Sequence, residues 1–308
     1  MNDPAQPDME IAVILPCFNE AAAIGGVIAA FRAWLPTARI VVFDNNSTDG
    51  TVDEARRAGA EVGFVTAQGK GHVIRQAFAR LDADIYVLAD GDGTYDAASA
   101  PRLIGHLVDS GLDMVVGSRQ EMADKSYPDG HRLGNRLFNR VVRTLFGPEF
   151  TDIFSGYRIC SRPFVKSFPA LATGFETETE MSLHAIQLGL PCREVKTPYF
   201  ERVAGTASKL RTVRDGLRIL WFIVRLVKHT RPLLFFLALS ATAALLSLLV
   251  GMPVIVEFLA SGLVPRLPTA IAAASLMVIA AIGVAVGVVL DSVAYAQREL
   301  KRLAYLSI

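Results

Sequence analysis

Three aspartates lie within seven positions of the segment ADGDGTYD, which spans residues 89–96. They are Asp90, Asp92 and Asp96, and they follow DIYVL, an apolar run typical of a buried strand. Carboxylates this close repel one another and are costly to remove from water, so a positive partner is expected among them. Asp90 and Asp92 flank a glycine and can both reach one ion if the backbone turns sharply. Asp96 precedes a helix-like stretch and is expected to cap that helix.

A calcium loop also begins with D-x-D, but it needs glycine at its sixth position and glutamate at its twelfth. Those positions hold Tyr95 and Pro101, which excludes a loop of that kind. A Mg²⁺ or Mn²⁺ ion that bridges phosphates fits better, because such ions take one or two carboxylates and complete their shell with water and substrate phosphate oxygens. The alternative, that the aspartates serve only as turn and cap residues, stays open on this segment alone.

Three more polar loops follow apolar runs in the chain: PCFNE at 16–20, DNNSTDGT at 44–51 and GSR at 117–119. In an open parallel sheet, ligands bind beyond the carboxyl ends of the strands, so these loops and the aspartate segment are expected to share one edge. Asp44 could accept hydrogen bonds from a ribose or a base, although its loop is also ordinary turn and cap sequence. GKGHVI at 69–74 is not a phosphate-binding loop, because it completes neither GxxxxGK(S/T) nor GxGxxG.

Short runs rich in valine and isoleucine alternate with stretches of helical character. This pattern predicts an α/β fold with a mainly parallel sheet covered on both faces. The predicted strands lie at 10–16, 38–44, 60–66, 84–90 and 112–118. The predicted helices lie at 20–34, 50–58, 69–81, 99–110, 132–146 and 176–190, with a polar loop at 119–131. These elements form one domain at 9–208, which follows a loose polar tail at 1–8.

The chain has 308 residues and a formal net charge of +1, so bulk charge gives no reason to expect a nucleic-acid partner. Its three cysteines, Cys17, Cys160 and Cys192, are scattered and form no CxxC pair. That spacing favours reduced thiols in a cytoplasmic domain over a disulfide framework or a zinc site.

Hydrophobic residues make up 52% of the chain, and two long runs of them, at 232–256 and 267–290, carry no charge. Each run exceeds the roughly 20 residues that cross a bilayer and lacks a polar face, so the pair predicts a transmembrane hairpin rather than core helices. The segment 209–231 is basic with interleaved apolar residues and is predicted to lie in the membrane interface. Flanking lysines and arginines place both termini in the cytoplasm, the loop 257–266 outside and the tail 291–308 inside. The first residues show no secretory signal pattern.

The segments VILPCFNEAAAI, VVFDNNSTDGT, GKGHVIRQAF, VLADGDGTY and MVVGSR occur in this order at the spacing typical of family 2 glycosyltransferases. Over about residues 10–210 the chain resembles the branch of that family that makes polyprenyl-phosphate sugars. Dolichyl-phosphate mannose synthase and undecaprenyl-phosphate glucosyltransferase are members of this branch. The resemblance implies a GT-A fold, a nucleotide-diphosphate-sugar donor, a Mg²⁺ or Mn²⁺ cofactor and an inverting single displacement.

Carried over by position, the resemblance assigns a group of residues to the nucleotide site: Pro16, Phe18, Glu20, Asp44 and Asp90. Asp90 and Asp92 resemble the D-x-D metal ligands of the family, and Asp92 also takes a catalytic role. Many relatives have DADLQ where this chain has DGDGT, which puts Thr94 at the position of a third metal ligand.

Other residues resemble the groups that bind phosphates in the family. Arg119 of GSR and Arg132 resemble those that hold the lipid phosphate, and Asp152 in TDIFSGYR resembles an acid near the reacting centre. The segment ERVAGTASKL is similar to an R-x5-SK pattern that contacts phosphates; the matching residues are Arg202, Ser208 and Lys209.

These features predict a membrane-bound transferase that moves a hexose, from UDP-hexose rather than GDP-mannose, to polyprenyl phosphate on the cytoplasmic face. A phosphate monoester is largely dianionic at neutral pH and is a nucleophile without a base, so catalysis would depend mainly on positioning. A lipid or saccharide hydroxyl is the alternative acceptor, with Asp152 or Glu176 as its general base. A membrane scaffold that retains the fold without catalysis is a third hypothesis, which the intact D-x-D disfavours.

The expected partners are the nucleotide sugar, the polyprenyl phosphate and the lipid bilayer, and no nucleic acid is expected. Related enzymes often form homotetramers. The product would pass to a flippase and to a transferase that uses lipid-linked sugars to build a cell-envelope glycan. The predicted location is the bacterial inner membrane.

Overall fold

The computed structural model describes residues 9–121, 152–174, 176–202, 224, 227–228 and 231–308. Two compact units divide the chain: one holds Met1–Lys209 with Lys301–Ile308, and the other holds Leu210–Leu300. Several predicted features fall outside the described residues, namely the tail 1–8, the helix 132–146, Arg132, Ser208 and Lys209. Most of the loop 119–131 and of the basic segment 209–231 also lie outside them.

A seven-stranded sheet forms the centre of the first unit, with the strands in the order β3-β2-β1-β4-β6-β5-β7. The strands are β1 Ile11–Cys17, β2 Arg39–Asp44, β3 Glu61–Phe64, β4 Ile85–Leu88, β5 Met114–Glu121, β6 Arg158–Ser161 and β7 Cys192–Tyr199. Among these described strands, β6 runs antiparallel to β4 and β5, and the other neighbours are parallel. The predicted α/β class with a mainly parallel sheet is confirmed, and the five predicted strands are β1 to β5.

The described helices of this unit are α1 Ala21–Trp34, α2 Thr51–Arg57, α3 Lys70–Arg80, α4 Ala100–Asp109, α5 Arg162–Ser167 and α6 Thr177–Leu188. Parallel neighbours need crossover connections, and α1, α2 and α3 supply them between β1 and β4. A short 3₁₀ turn at Ala97–Ser99 precedes α4, and the Asp96 side chain accepts a hydrogen bond from the Ala98 amide at the start of that turn. Asp96 is therefore a capping residue, as predicted, but it caps this turn, and the N-cap position of α4 itself is Ser99.

The central strands are buried on both faces of the sheet. Ile14 and Leu15 of β1 and Val87 of β4 are each 0% exposed. α1 packs against the sheet through buried residues on one face, among them Ile24 and Phe31. Continuous apolar strands of this kind are what a helix-covered parallel sheet requires. The carboxyl ends of β1, β2 and β4 are therefore fixed relative to one another by the core.

His184 of α6 is a buried titratable group in this core, 1% exposed, with its Nε2 3.0 Å from the Ser167 hydroxyl. Burial lowers the pKa of His184 to about 4, and the nearby positive charge of Lys301 adds to the effect. The ordinary histidine value is 6.5, so between these two pH values the unfolded chain binds a proton that the native chain does not.

We expect the free energy of unfolding to be unaffected by His184 above about pH 6.5 and to decrease as the pH falls toward 4. The loss approaches roughly 3 kcal/mol, the linkage equivalent of that pKa difference. Thermal melts of the wild type and of His184→Gln from pH 7.5 to 4.5 check this. The wild type should lose more stability than the variant over this range, and parallel curves would contradict the assignment.

The second unit contains most of two long helices, α7 Pro232–Ser261 and α8 Leu267–Leu306. Both are long and apolar enough to cross a membrane, which is consistent with the predicted anchoring. α7 continues past the predicted end of its span at 256, and α8 past 290. The predicted spans end where charged residues begin, but charged residues can continue a helix. The segment AQRELKRLAYL after the second span consists mostly of good helix formers.

Small residues lie at the contact between α7 and α8. A Cβ atom on Gly251 would lie 3.2 Å from the Ala273 Cβ, and one on Gly283 would lie 2.3 Å from the Ser240 Oγ. The Ser247 hydroxyl donates a hydrogen bond of 2.7 Å to the Ala273 carbonyl oxygen. Close backbone approach and hydroxyl bonds of this kind stabilise helix pairs in a bilayer, where the hydrophobic effect does not hold helices together.

Candidate active site

The loops that follow β1, β2 and β4 meet at one edge of the sheet. Cys17 pairs with Asp44 at the end of the parallel β1–β2 ladder. Asn19, whose φ of 58° turns the chain sharply, donates its amide to the Ser47 hydroxyl and accepts a hydrogen bond from the Thr48 amide through its side chain. The sequence therefore places the PCFNE and DNNSTDGT loops together as expected, and β4 brings the aspartate loop to β1 on the other side.

Asp92 is held in one orientation by three contacts. Its Oδ1 accepts hydrogen bonds from the Thr94 amide at 3.1 Å and from the Thr94 hydroxyl at 2.7 Å. Its Oδ2 lies 2.9 Å from an Arg202 guanidinium nitrogen. The side chain of Asp92 is 4% exposed, whereas that of Arg202 is 43% exposed. Thr94 therefore directs the carboxylate, and a cation approaches the carboxylate from the open side.

The turn that presents Asp92 depends on Gly93. Its φ of 78° lies in the left-handed region that glycine adopts without strain. The turn lets the Thr94 amide and hydroxyl point back at Asp92. The threonine hydroxyl, predicted at the position of a third metal ligand, thus donates to the carboxylate that is itself the second predicted ligand.

Asp90 faces a different cation. Its Oδ1 lies 2.5 Å from the Lys70 Nζ, and the same Nζ lies 2.6 Å from the Glu178 Oε1. Burial alone would lower the pKa of Lys70, but the charges of Asp90 and Glu178 outweigh it and raise that pKa above its ordinary value. Lys70 is therefore a permanent cation between two carboxylates.

Lys70 and Glu178 were not predicted as site residues. Lys70 starts α3 inside the GKG segment, and Glu178 lies in the first turn of α6 inside ETETE. Neither segment completes a phosphate-binding pattern, so the sequence offers only their order among the family-like motifs as a signal. Gly71 shows why α3 can approach here: a Cβ atom there would lie 2.2 Å from the Ala172 carbonyl oxygen.

Glu20 and Asp44 lie at the same edge of the sheet as Asp90 and Asp92, and these four carboxylates are called the acidic edge below. Burial and, after it, the charge of Asp92 raise the pKa of Glu20 to about 7, although Arg202 opposes the rise. Asp44 is 3% exposed and its Oδ2 accepts a hydrogen bond from the Ser47 amide. Within the described part of the chain, the Glu20 Oε2 and the Asp44 Oδ1 are buried without a hydrogen-bond partner. Both oxygens are thus free to accept hydrogen bonds from a ligand.

Arg119 and Asp152 form a second cluster at the end of β5. The Arg119 Nε and Nη2 donate to the two Asp152 oxygens, each at 2.8 Å, and the Arg119 amide donates at 3.1 Å. Burial alone would raise the pKa of Asp152, but the hydrogen bonds and charge of Arg119 hold it below its ordinary value. The Arg119 guanidinium also lies 5.6 Å from the centroid of the Tyr199 ring. Asp152 therefore fixes the direction in which this arginine points.

The loop that carries Asp152 is held in place by hydrogen bonds from the buried Arg158. This residue is 1% exposed, and its guanidinium donates to the carbonyl oxygens of Ile153 at 2.8 Å and Ser155 at 3.0 Å. The Gly156 amide of the same loop donates to the Tyr95 hydroxyl at 2.8 Å. Tyr95 thus joins the aspartate loop to the Asp152 loop.

The structure brings most of the described site residues into these two clusters. Asp90, Asp92 and Arg202 lie close enough to Glu20 for their charges to affect its pKa, and Pro16 lines a small cavity together with Lys70 and Asp90. Phe18 lies in the same PCFNE loop. Glu176, the other candidate base, is exposed directly before α6.

The acidic edge suits a divalent ion whose coordination shell is completed by oxygen atoms of a substrate. The described residues contain no cage of three or more His, Cys, Asp or Glu side chains. Mg²⁺ and Mn²⁺ at phosphate sites need only one or two protein carboxylates, which Asp92 and Asp90 can supply. The Arg202 guanidinium stands at the open oxygen of Asp92 and marks where positive charge is accommodated.

Comparison with known proteins gives a consistent result. The sequence model of Glycosyl transferase family 2 matches residues 12–168. Glycosyltransferase AglJ of Haloferax volcanii is 35% identical over 228 residues, which cover 73% of this chain and 75% of that protein. Dolichyl-phosphate hexose transferase of the same organism is 30% identical over 223 residues, which cover 72% of this chain and 96% of that protein.

A solved structure shares the fold. Glucosyl-3-phosphoglycerate synthase from Mycobacterium tuberculosis, crystallised with Mn²⁺, uridine diphosphate and glucosyl-3-phosphoglycerate, superimposes with a TM-score of 0.58 at 22% identity. The superposition covers 72% of this chain and 80% of that one. The likeness confirms the expected GT-A fold.

Proposed function

Because the chain belongs to glycosyltransferase family 2, we propose that it transfers a hexose from a nucleotide-diphosphate sugar to polyprenyl phosphate at the cytoplasmic face of a membrane. The observation that carries the proposal is the pairing of each D-x-D carboxylate with a separate cation, Asp92 with Arg202 and Asp90 with Lys70. A leaving diphosphate needs cations of this kind close to the bond that breaks.

The acidic edge is assigned to the donor. Asp92 and Asp90 would hold Mg²⁺ or Mn²⁺, which when bound neutralises the charge that develops on the leaving diphosphate. Arg202 is the more exposed partner of its pair and is free to turn from Asp92 toward a phosphate. UDP-hexose is the preferred donor in this proposal, supported by the uridine diphosphate and Mn²⁺ in the M. tuberculosis structure.

Glu20 and Asp44 suit the nucleoside part of the donor. Each has one buried oxygen without a hydrogen-bond partner among the described residues. Such oxygens are costly to leave unpaired, so a ribose hydroxyl or a base N–H that donates to them would bind favourably. This supports the nucleotide role that their positions in the two loops suggest.

The second cluster is assigned to the acceptor phosphate. Arg119 presents a guanidinium that Asp152 orients with two hydrogen bonds, and a fixed guanidinium is well suited to a phosphate. A dianionic phosphate attacks the anomeric carbon without a base, which gives a single displacement with inversion. The name of the Haloferax volcanii dolichyl-phosphate hexose transferase and the two membrane-length helices both support a lipid-linked acceptor.

The charges near the site count against a hydroxyl acceptor. Such an acceptor must lose a proton to a base, but both Asp152 oxygens already accept hydrogen bonds from Arg119, and the pKa of Asp152 lies below its ordinary value. Glu176 is exposed and lies before α6. The phosphate acceptor requires neither residue as a base.

The proposal is tested with the purified full chain, Mg²⁺ or Mn²⁺, polyprenyl phosphate and a panel of UDP- and GDP-sugars. We expect a lipid-linked hexose with at least one UDP-hexose and no product when a chelator removes the metal. Glycosylation of a diacylglycerol or saccharide hydroxyl, with no lipid-phosphate product from any donor, would overturn the acceptor assignment.

Asp152→Asn tests whether this acid positions Arg119 or acts as a base. We expect kcat to fall about 10²-fold, because the guanidinium loses its fixed direction, and a misplacement of about 1 Å can cost that much. The pH–rate profile should keep its shape, since no proton is transferred to Asp152. Arg119→Lys should cost a similar amount, and the double variant should cost little more than either single change.

If Asp152 were a general base, the pH–rate profile of Asp152→Asn would differ from that of the wild type. The Asp152→Asn profile would then lose the limb that reports the base, and its rate would rise with hydroxide concentration. Multiplication of the two single effects in the double variant would also contradict the positioning role.

A further inference from the structure

Glu178 forms an ion pair with Lys70, whose ammonium group is also paired with Asp90. Its side chain is 8% exposed, and its Oε1 lies 2.6 Å from the Lys70 Nζ, which also contacts Asp90 at 2.5 Å. Within the described part of the chain, the other oxygen, Oε2, is buried without a hydrogen-bond partner. Burial of an extra carboxylate with one oxygen unpaired is costly, so packing alone does not explain this residue.

Another cation lies near Glu178 but does not replace Lys70. Arg158 lines the same small cavity as Lys70, Asp90 and Glu178. Its guanidinium donates hydrogen bonds to the carbonyl oxygens of Ile153 and Ser155 and to the Met114 sulfur. Two carboxylates and two cations therefore line one cavity, and Lys70 contacts both carboxylates.

The two carboxylates differ in how accessible they are. The side chain of Asp90, which belongs to the acidic edge, is 30% exposed, whereas that of Glu178 is 8% exposed. If a divalent cation binds Asp90, the ammonium beside it loses part of its counter-charge, and the two positive charges repel each other. A carboxylate that stays on Lys70 removes this conflict.

We propose that Glu178 is a positioning residue that keeps Lys70 paired while Asp90 is engaged, and so keeps Asp90 available to the divalent cation of the donor site. The inference rests on the proposed function, in which Asp90 and Asp92 hold that cation. It makes Lys70 a cation shared between the two carboxylates, with Glu178 as the permanent partner.

The directions in which the metal affinity and the nucleotide affinity change separate this role from a purely structural one. Without the charge of Glu178, Lys70 depends on Asp90 alone and competes with a metal for it, so metal affinity should fall. The same loss leaves Lys70 less neutralised toward a diphosphate, so nucleotide affinity without metal should hold or rise. A damaged site would bind both ligands less well.

The experiment uses the purified full chain and Glu178→Gln. Mn²⁺ binding is followed by the electron paramagnetic resonance signal of the free ion, and uridine diphosphate binding in chelator by calorimetry. We expect the Mn²⁺ Kd to rise about tenfold or more, the size of the effect that a charge within ~4–6 Å has on the proton affinity of a carboxylate. The metal-free Kd for uridine diphosphate should stay level or fall.

Three further variants separate the role of Lys70 from a general effect of lost charge. Glu61→Gln removes the same charge from a salt bridge with Arg39 at the β3 edge and should leave both affinities unchanged. In the Lys70→Met background no ammonium competes for Asp90, so adding Glu178→Gln should not weaken Mn²⁺ binding further. Glu178→Asp keeps the charge and should restore most of the affinity, which provides a second variant if the glutamine does not fold.

Each contrary outcome has one meaning. Unchanged Mn²⁺ affinity in Glu178→Gln, or equal weakening of Mn²⁺ and uridine diphosphate, would overturn the proposal. Mn²⁺ binding that is unaffected by Asp92→Asn would instead overturn the metal site of the proposed function. The Asp92 measurement therefore shows which of the two ideas has failed.

Discussion

Asp92→Asn should lower kcat by about 10²–10³-fold or more, the range seen when one group that stabilises transition-state charge is removed. The carboxylate of Asp92 is held by two hydrogen bonds from Thr94, and its Oδ2 lies 2.9 Å from the Arg202 guanidinium. The amide keeps the shape and can retain the Thr94 contacts, but it lacks the charge that a divalent cation needs. Steady-state turnover at saturating donor and acceptor measures the loss, and a thermal melt checks that the fold is retained.

Asp96→Asn is the matched control for that change. It removes one charge from the same loop, but Asp96 caps the turn before α4, and asparagine caps about as well as aspartate. Turnover should remain near that of the wild type. An active Asp92→Asn variant, or equal losses in the two variants, would contradict the separation of metal-binding and capping aspartates.

Lys70→Met should reduce the free energy of unfolding by about 3–5 kcal/mol, the usual cost of breaking a buried ion pair by removing one partner. The change leaves Asp90 and Glu178 facing each other at a site where Lys70 is 14% and Glu178 8% exposed at the side chain. Denaturant unfolding of the full chain in detergent, followed by a probe in the first unit, measures the difference.

Two further variants show that the loss comes from the unpaired carboxylates. Lys196→Met removes a lysine at an exposed position and should change stability by less than about 0.5 kcal/mol. Lys70→Met combined with Glu178→Gln should be more stable than Lys70→Met alone, because one of the unpaired buried charges is gone. A Lys70→Met protein as stable as the wild type would show that the ion cluster carries no folding energy.

The sheet was predictable where strands are buried on both faces. β1 and β4 read as continuous apolar runs, and their positions differ from the predicted ones by one or two residues at each end. β6 and β7 were missed. β6 has four residues and little local pattern, and β7, CREVKTPY, is an edge strand that pairs with β5 and mixes polar with apolar residues. Their pairing partners are distant in sequence, so only tertiary structure selects them.

The candidate site was predictable in part for a similar reason. Asp44 is the last residue of β2, and Asp90 and Asp92 lie in the loop after β4, so the strand ends at one sheet edge locate them. The contact of Lys70 with Glu178 joins the first turns of α3 and α6, and no spacing rule relates two helices so far apart along the chain. The role of Thr94 also depended on the turn, because only the structure shows its hydroxyl donating to Asp92.

The most direct test of the central claim is a structure of the full chain with Mn²⁺ and uridine diphosphate, in which the anomalous signal of manganese locates the ion. We predict manganese bound to an Asp92 oxygen, with Arg202 turned from Asp92 toward the diphosphate. Manganese remote from both Asp90 and Asp92, or a bound diphosphate with the Arg202–Asp92 pair intact and no ion beside it, would contradict the account.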